Sequence, residues 1–224
     1  MAATIFSPPS SDALSDAELA RWRDVPSSIA ADLVRAAGQI DPAIRPLLPP
    51  GRQPRLVGRA VIAVCEPPDM GGVLYAADRV GPGDVLMIAA GGRVESAVIG
   101  DIVCGALRRR GCVGIVCDGA VRDVATLAQW SDFSVFARAI DPRGPVAFAG
   151  GAVNRPAAIG GAIVTPGDLV IGDDDGVVTL TPATARARIA DAQAKIALEA
   201  RWTADLAAGR TAEETFGLPP PLRG

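Results

Sequence analysis

The sequence predicts an α/β fold, and three observations support this prediction. Strand and helix patterns alternate between residues 55 and 140, which is typical of βαβ units. Short apolar segments separated by Gly, Pro and Asp turns fill residues 145–181, which predicts a small β-rich part. A long helical pattern then covers residues 182–208, with Thr181 as its cap and Pro182 in its first position.

The length and composition fit one folded domain. The 224 residues are enough for a sizeable core, and a hydrophobic fraction of 49% argues against disorder. We expect a single domain over residues 1–224, with a helical N-terminal region (1–50), an α/β core (51–181) and a C-terminal helix (182–208). Such a helix extends roughly 40 Å. It is therefore expected to reach a neighbouring subunit.

Local patterns predict the individual elements. In the N-terminal region, helices are expected at residues 15–24 and 27–38, each beginning at a serine cap. In the α/β core, the apolar patterns predict a strand at 55–65, a strand at 85–92, a helix at 96–111, a strand at 112–119, a helix at 124–132 and a strand at 133–140.

Charge and apolar patterns exclude several functions. The net charge is −3, and the only basic run, residues 108–110, is typical of a helix end, so we expect no nucleic-acid binding. The apolar runs are too short for a membrane span, and the N-terminus has no signal-peptide pattern, so a cytoplasmic protein is expected. The four cysteines lie in apolar runs without a CxxC motif, which predicts buried free thiols.

The absence of histidine limits the chemistry of any active site. With no histidine in the chain, Ser-His-Asp catalysis, Cys-His catalysis and histidine-ligated zinc are excluded. Catalysis would have to use carboxylates, Arg, Lys, Tyr, backbone groups, water or a hard metal ion.

One group of candidate residues follows the apolar segment at 112–117. Asp118-Gly119 is typical of a turn and favours a structural role. Arg122 and Asp123 come directly afterwards, at the carboxyl end of the predicted strand, where open α/β sheets usually bind ligands. Taken alone, this pair favours a capped helix with an exposed arginine.

A second candidate segment begins at Gly100-Asp101, after a Gly-rich loop. Asp101 is expected to begin a helical turn whose free backbone N–H groups can hold a carboxylate. These groups belong to Ile102, Val103 and Cys104.

The two segments are expected to meet. If the strands at 85–92 and 112–119 are parallel neighbours, Asp101 and Asp123 face each other across a pocket with Arg122 between them. Two carboxylates without histidine suit Mg²⁺ or Mn²⁺, held by few protein ligands and several waters. The planar guanidinium of Arg122 suits a substrate carboxylate.

These residues resemble a known family. Asp101, twenty intervening residues and Arg122-Asp123 are similar to the D-x20-R-D pattern of the RraA-like proteins, which include the 4-hydroxy-4-methyl-2-oxoglutarate aldolases, class II pyruvate aldolases. The resemblance spans most of the chain. It includes the segments "SSIAADL", "IRPLLPPG", "GDVLMIAAGG", "GIVCDGAVRD", "VFARAIDPRGP" and "PGDLVIGDDDGVV".

The resemblance implies a swivelling β/β/α domain that forms a homotrimer or a dimer of trimers, with sites between subunits. It implies that Asp123 binds the metal directly and Asp101 binds it through water. Arg122 would bind pyruvate and neutralise the enolate, while the backbone around Gly100 and Asp101 holds the pyruvate carboxylate. In the aldolases, a glutamate of the adjacent subunit's C-terminal helix contacts a metal-bound water, and Glu199 is the nearest match here.

We therefore expect a divalent-metal-dependent aldolase that cleaves 4-hydroxy-2-oxo dicarboxylic acids to pyruvate and decarboxylates oxaloacetate. The sequence departs from the family pattern at two places that concern the substrate. Many relatives carry Asp where this chain has Ala89, and the segment "LYAADRV" (74–80) lacks the Asn-containing loop that is expected in the aldolases. The alternatives are a non-catalytic binding protein and a regulator of ribonuclease E.

Overall fold

A computed structural model describes residues 3–6, 12–35 and 37–220, which form twelve strands and seven helices. The strands are β1 (Thr4–Ile5), β2 (Arg45–Pro46), β3 (Leu56–Val64), β4 (Asp84–Ala89), β5 (Ala97–Ile99), β6 (Gly114–Val121), β7 (Ser134–Ile140), β8 (Ala152–Val153), β9 (Ala157–Ile159), β10 (Ala162–Val164), β11 (Leu169–Asp173) and β12 (Gly176–Leu180). The helices are α1 (Asp16–Ala20), α2 (Ser27–Leu33), α3 (Gly71–Ala77), α4 (Asp101–Arg109), α5 (Val124–Leu127), α6 (Pro182–Ala207) and α7 (Ala212–Phe216).

Four parallel strands form the centre of the main sheet. They lie in the order β3-β4-β6-β7, and they correspond to the four strands predicted in the α/β core. The expected parallel arrangement of β4 and β6 is confirmed. On the other side of β3, β11 pairs antiparallel with both β3 and β12, and β9 and β10 form a separate hairpin. The mixed α/β class with a smaller β-rich part is therefore confirmed.

Both faces of the central sheet are buried. One face packs against α3, α4 and α5, through side chains such as Ile88, Leu107 and Val121. The opposite face packs against the β9–β10 hairpin, where Phe136 of β7 lies in the core. Burial on both faces explains why the central strands are nearly continuous apolar runs.

The segment at 96–111 is not the single helix that its pattern predicts. Ala97–Ile99 form β5, which pairs in parallel with Ala120 and Val121 of β6, and α4 begins only at Asp101. A short apolar run fits either a strand or a buried helix, and the β-branched residues Val98 and Ile99 suit a strand. Pairing with β6, which lies later in the chain, decides between them.

Asp118 and Gly119 do not form the predicted turn. They lie inside β6, where the register with β7 shifts between Cys117 and Ala120. Asp118 is only 5% exposed, forms an ion pair with Arg138 and accepts a hydrogen bond from the N–H of Gly160 at 2.8 Å. Its role is structural, as predicted, but it stabilises a bulged strand and not a chain reversal.

The N-terminal helices are shorter than predicted. Ser15 caps α1, as expected, through a capping box with Glu18. The N-cap of α2 is Pro26 and not a serine, because Ser27 instead donates its N–H and hydroxyl to Asp173 at 2.8 and 2.5 Å. The helix ends at Leu33 and not at the predicted glycine.

Two other helices show how well local signals hold. The predicted helix at 124–132 ends at Leu127, and Trp130 beyond it stacks edge-on against Phe133 at 5.8 Å. The C-terminal helix α6 is confirmed, with Thr181 accepting a hydrogen bond from the N–H of Thr184 at its start. In the part of the chain that the structure describes, no helix has both the length and the apolar character needed to cross a bilayer.

The four cysteines are buried free thiols, as predicted. Burial raises the pKa of Cys65 to about 12 and that of Cys112 to about 11. Burial also raises the pKa of Cys104 and Cys117 far above the ordinary thiol value. These thiols are core side chains and remain protonated at neutral pH.

Candidate active site

The site lies at the carboxyl end of β6, where the chain passes into α5. The strand ends at Val121, and the N–H of Arg122 donates to the carbonyl of Ile99 at the end of β5 at 3.1 Å. Because β5 leads through Gly100 directly into α4, this hydrogen bond brings the start of α4 next to Arg122 and Asp123. The structure thus brings together the residues of both predicted segments.

Asp123 has a left-handed backbone, with φ 59° and ψ 34°. Aspartate is among the few residues other than glycine that adopt this conformation readily. As the N-cap residue of α5, its carbonyl accepts hydrogen bonds from Thr126 and Leu127 at 3.0 and 3.2 Å. Its side chain makes no cap of α5 and points instead towards α4, where Oδ2 accepts the N–H of Asp101 at 3.3 Å.

Arg122 lies between this carboxylate and a neighbouring loop. Its Nε is 3.4 Å from Oδ2 of Asp123, and both side chains are 38% exposed. On the other side, the guanidinium lies so close to Gly144 that a Cβ atom there would displace it from this position. Arg122 is therefore held between Asp123 and the loop that follows β7.

Two of the three N–H groups that were predicted to be free at the start of α4 have no partner within the helix. The N–H of Cys104 donates to the carbonyl of Gly100 at 3.0 Å, so it belongs to the helix ladder and cannot hold a ligand. The N–H of Asp101 faces Asp123. Ile102 and Val103, at the second and third positions of α4, have N–H groups without a partner in the helix. The predicted carboxylate-binding backbone thus narrows to these two residues.

A cavity of about 260 Å³ opens beside this cluster. It is lined by Gly100, Arg122 and Asp123 and by seven apolar residues, which are Met70, Leu74, Ile99, Ile102, Val103, Pro145 and Phe148. Its volume suits a small substrate, since ligand pockets of drug size begin at about 300 Å³.

Sequence reasoning missed the apolar lining. Met70 and Leu74 belong to α3, a helix whose start, Gly71-Gly72, is a poor helix signal. Pro145 and Phe148 lie in the loop after β7, which reaches the site because Val146 donates its N–H to the carbonyl of Pro68 at 3.0 Å. The sequence offered one signal for this lining, which is the aromatic Phe148 in a Gly-rich loop. The structure shows that its side chain is exposed, as is typical of a binding surface.

The donor set fits a hard divalent cation with few protein ligands. Asp123 lines the cavity, and Asp101 begins the adjacent helix α4 with its backbone N–H on the Asp123 carboxylate. Mg²⁺ is commonly bound by one or two carboxylates plus waters. Among the residues described, no three His, Cys, Asp or Glu side chains lie together to hold an ion. A metal at this edge would therefore need waters or groups from outside this part of the chain.

Glu199 and Ala89 lie away from this cluster. Glu199 is on α6, where its carboxylate is 3.8 Å from Nζ of Lys195 and 43% exposed. The fold of one chain does not bring it to Asp101 and Asp123. Ala89 is buried on the face of the sheet that packs against the β9–β10 hairpin, and it does not line the cavity.

Comparison with known proteins identifies the family. The model of the RraA-like family, described as aldolase/RraA, matches residues 12–179. A relative from Halalkalibacterium halodurans, named "Putative 4-hydroxy-4-methyl-2-oxoglutarate aldolase", is 31% identical over 162 residues, which cover 72% of this chain and 75% of the relative.

Solved structures agree with this assignment. A protein from Pseudomonas syringae pv. tomato superimposes with a TM-score of 0.81 at 24% identity, over 95% of this chain and 99% of that one, which shows the shared fold. RraAS2 of Streptomyces coelicolor, described as an unusual member of the RNase ES inhibitor RraA family, gives a TM-score of 0.72 at 25% identity over 83% and 96% of the two chains. The sequence, the fold and the match over residues 12–179 together show that this chain belongs to the RraA-like family of aldolase/RraA proteins.

Proposed function

We propose that this protein is a divalent-metal-dependent aldolase. It cleaves 4-hydroxy-2-oxo dicarboxylic acids, such as 4-hydroxy-4-methyl-2-oxoglutarate, to pyruvate, and it decarboxylates oxaloacetate through the same enolate. The observation that carries the proposal is that Arg122 and Asp123 line one cavity, with the backbone N–H of Asp101 on the Asp123 carboxylate. The name of the 31% identical relative supports the reaction class.

The residues of the chain divide the work by their chemistry. Asp123 would hold a Mg²⁺ or Mn²⁺ ion directly, and this ion would supply Lewis-acid stabilisation of negative charge on the substrate oxygens. Asp101 holds a water that accepts the proton of the substrate hydroxyl, since no histidine is available as a base. The N–H groups of Ile102 and Val103 bind the substrate carboxylate at the start of α4.

Arg122 stabilises the charge that develops during C–C cleavage. Its Nε lies 3.4 Å from Oδ2 of Asp123 and its guanidinium lies beside Gly144, which supports a position prepared for the substrate. A positive group that is fixed in advance next to a developing oxyanion lowers the barrier without the cost of reorganisation.

The proposal includes an assembly. We propose that the protein forms a homotrimer or a dimer of trimers, in which Glu199 of an adjacent subunit would help to hold the metal ion. Glu199 lies on the 26-residue helix α6, of which only the first half carries buried residues. A helix with an exposed second half is suited to contact another subunit.

Pyruvate release tests the function directly. The purified protein is incubated with 4-hydroxy-4-methyl-2-oxoglutarate or oxaloacetate, with Mg²⁺, with Mn²⁺ and with EDTA. We expect release with either ion and its loss in EDTA. Release that is unchanged in EDTA after metal removal would contradict the proposed metal dependence, and no release under any condition would contradict the aldolase.

A second candidate is a regulatory binding protein that inhibits ribonuclease E. It is supported by the similar structure of a protein from Thermus thermophilis described as the RNA-processing inhibitor RraA, with a TM-score of 0.63 at 25% identity over 70% of this chain and 93% of that one. A pull-down with ribonuclease E, combined with an RNA-cleavage assay, tests it. Binding and inhibition without any pyruvate release would favour this candidate over the aldolase.

A further inference from the structure

The loop that follows β7 passes the guanidinium of Arg122 at Gly144. The two lie so close together that a Cβ atom at Gly144 would collide with Nη1 of Arg122. The next residue, Pro145, lines the cavity. The course of this loop therefore affects both the position of the guanidinium and the shape of the cavity beside it.

Ser96, the residue before β5, holds this loop in place. Its hydroxyl donates to the carbonyl of Gly144 at 3.0 Å, and the N–H of the next residue, Ala97, donates to the carbonyl of Arg143 at 2.8 Å. Ser96 is only 3% exposed, and it does not line the cavity. Its side chain therefore contacts the loop and not a ligand.

The peptide between Gly144 and Pro145 depends on this one hydrogen bond. Proline has no backbone N–H, so the carbonyl of Gly144 is the only group of this peptide that can form a hydrogen bond. Glycine allows a wide range of backbone conformations, so the chain itself does little to fix the orientation of the peptide. Within the part of the chain that the structure describes, only the Ser96 hydroxyl donates to this carbonyl.

The strand β5 connects Ser96 to the backbone of Arg122. Ser96 immediately precedes β5, and the carbonyl of Ile99 at the end of this strand accepts the N–H of Arg122 at 3.1 Å. Residues 96–99 thus hold the Arg122 backbone at one end and the loop beside its guanidinium at the other.

We infer that Ser96 is a positioning residue for Arg122, and its effect on the aldolase reaction rests on the proposed function. By holding the carbonyl of Gly144, the Ser96 hydroxyl keeps the loop beside the guanidinium, and the loop keeps the guanidinium where negative charge develops on the substrate. A charged group stabilises a transition state best when its position is fixed in advance. Without the hydroxyl, the Gly144–Pro145 peptide is free to turn, and Arg122 loses this fixed neighbour.

The test uses two variants that each lose a buried hydroxyl. Ser96→Ala removes the hydrogen bond to Gly144. Ser134→Ala is the matched control, because the buried Ser134 hydroxyl also donates to a backbone carbonyl, that of Pro54 at 2.8 Å, but at the amino end of β7, away from the site. The urea midpoints of the two variants should fall by similar amounts. Ser96→Cys, a weaker donor, repeats the test if Ser96→Ala does not fold.

The kinetic readout is kcat for pyruvate release from 4-hydroxy-4-methyl-2-oxoglutarate with Mg²⁺. We expect kcat to fall by about tenfold or more in Ser96→Ala, since a displacement of about 1 Å at a reacting group costs about 10²-fold. Ser134→Ala should keep the wild-type kcat. Equal kcat values for the two variants would overturn the inference, because a purely structural role of Ser96 has that outcome.

A double-mutant cycle shows whether the effect passes through Arg122. If Ser96 acts by positioning the guanidinium, Ser96→Ala should lower kcat much less in the Arg122→Lys background than in the wild type, since coupled residues have non-additive effects. If Ser96 acts only through the general stability of the fold, the two effects are additive. Additive effects would therefore overturn the inference.

Crystal structures of the wild type, Ser96→Ala and Ser134→Ala separate this inference from the proposed function. We expect the Gly144–Pro145 peptide and the guanidinium to move only in Ser96→Ala, which changes the 3.4 Å distance between Nε of Arg122 and Oδ2 of Asp123. If the wild type releases no pyruvate, the aldolase is wrong, and this movement would still show that Ser96 positions Arg122. An unmoved guanidinium in Ser96→Ala would overturn the inference whatever the activity.

Discussion

Gly100 and Asp123 occupy adjoining space so closely that a Cβ atom at Gly100 would collide with Oδ2 of the Asp123 carboxylate. The same atom would lie 3.0 Å from Cγ of Arg122. Gly100 has an extended backbone with φ −146°, so its conformation does not require glycine. Glycine is favoured here because the side chains of Asp123 and Arg122 pack against this position.

This packing predicts that Gly100→Ala disturbs the site while the fold survives. We expect kcat/KM for pyruvate release to fall by about 10²-fold, since a displacement of about 1 Å at a reacting group has that effect. The matched control is Gly105→Ala on the same helix, where a Cβ atom meets only Nη1 of Arg109 at 3.4 Å and Trp130 at 3.7 Å. The control should retain activity and gain a few tenths of a kcal/mol to about 1 kcal/mol of stability. Full activity of Gly100→Ala would contradict the proposed arrangement.

The two acidic residues are expected to differ in their effect on metal binding. Asp123→Asn keeps the size and tolerates the left-handed backbone, but it removes the ligand charge. Asp101→Asn removes a contact made through water, which costs about 10–100-fold in affinity, and Asp123→Asn should cost more. Calorimetric titration with Mg²⁺ or Mn²⁺ measures both. Asp132→Asn, in the surface ion pair with Arg108, is the control. The proposal fails if Asp123→Asn binds the metal like wild type.

Arg122→Lys tests the guanidinium. Lysine keeps the charge but not the planar fork, and it cannot occupy the space between Asp123 and Gly144 in the same way. We expect kcat to fall by about 10²–10³-fold, the usual effect of removing one donor to a developing oxyanion. The metal affinity should change much less. Turnover equal to wild type would count against a role for Arg122 at the enolate.

The buried ion pair between Asp118 and Arg138 predicts a loss of stability. The side chains are only 8% and 19% exposed, so Asp118→Ala leaves a guanidinium partly buried without this partner. Arg138 keeps Asp41 as a partner, but the N–H of Gly160 loses its acceptor, so the free energy of unfolding should fall by about 1–3 kcal/mol, the cost of a buried donor left unpaired. Asp191→Asn, in the exposed pair with Arg188, should change it by less than about 1 kcal/mol. Urea denaturation measures both, and equal effects would show that burial does not matter at Asp118.

The buried thiols predict a loss of stability at high pH. Burial raises the pKa of Cys65 to about 12 and of Cys112 to about 11, from an ordinary value of 9.0. Above pH 9 the unfolded chain loses these protons while the native chain keeps them, so the unfolded state is favoured progressively up to about pH 11–12. Below pH 9 the thiols contribute no pH dependence. Denaturation curves at pH 8 and pH 10.5 should show a smaller decline in the Cys65→Ala, Cys112→Ala double variant, and an equal decline would contradict the shifts.

Local sequence signals predicted the secondary structure correctly where a pattern is typical of only one kind of element. The Thr181-Pro182 start predicted α6, and the apolar runs predicted the four parallel central strands. They failed where a short segment suited two structures. Residues 97–99 became a strand because β6 was available as a partner, and Asp118 became a buried ion pair because Arg138 lies on the adjacent strand.

The sequence by itself determined which chemistry was available. The absence of histidine left carboxylates and arginine as the available groups, and the positions of Asp101 and Arg122-Asp123 after predicted strands led to the prediction that these residues meet. The tertiary structure alone decided what surrounds them. The N–H of Cys104 forms a hydrogen bond within α4. Met70, Leu74 and Phe148 line the cavity, because α3 and the loop after β7 come together there from distant parts of the chain. Local patterns record the spacing along the chain, whereas a cavity depends on which distant segments pack together.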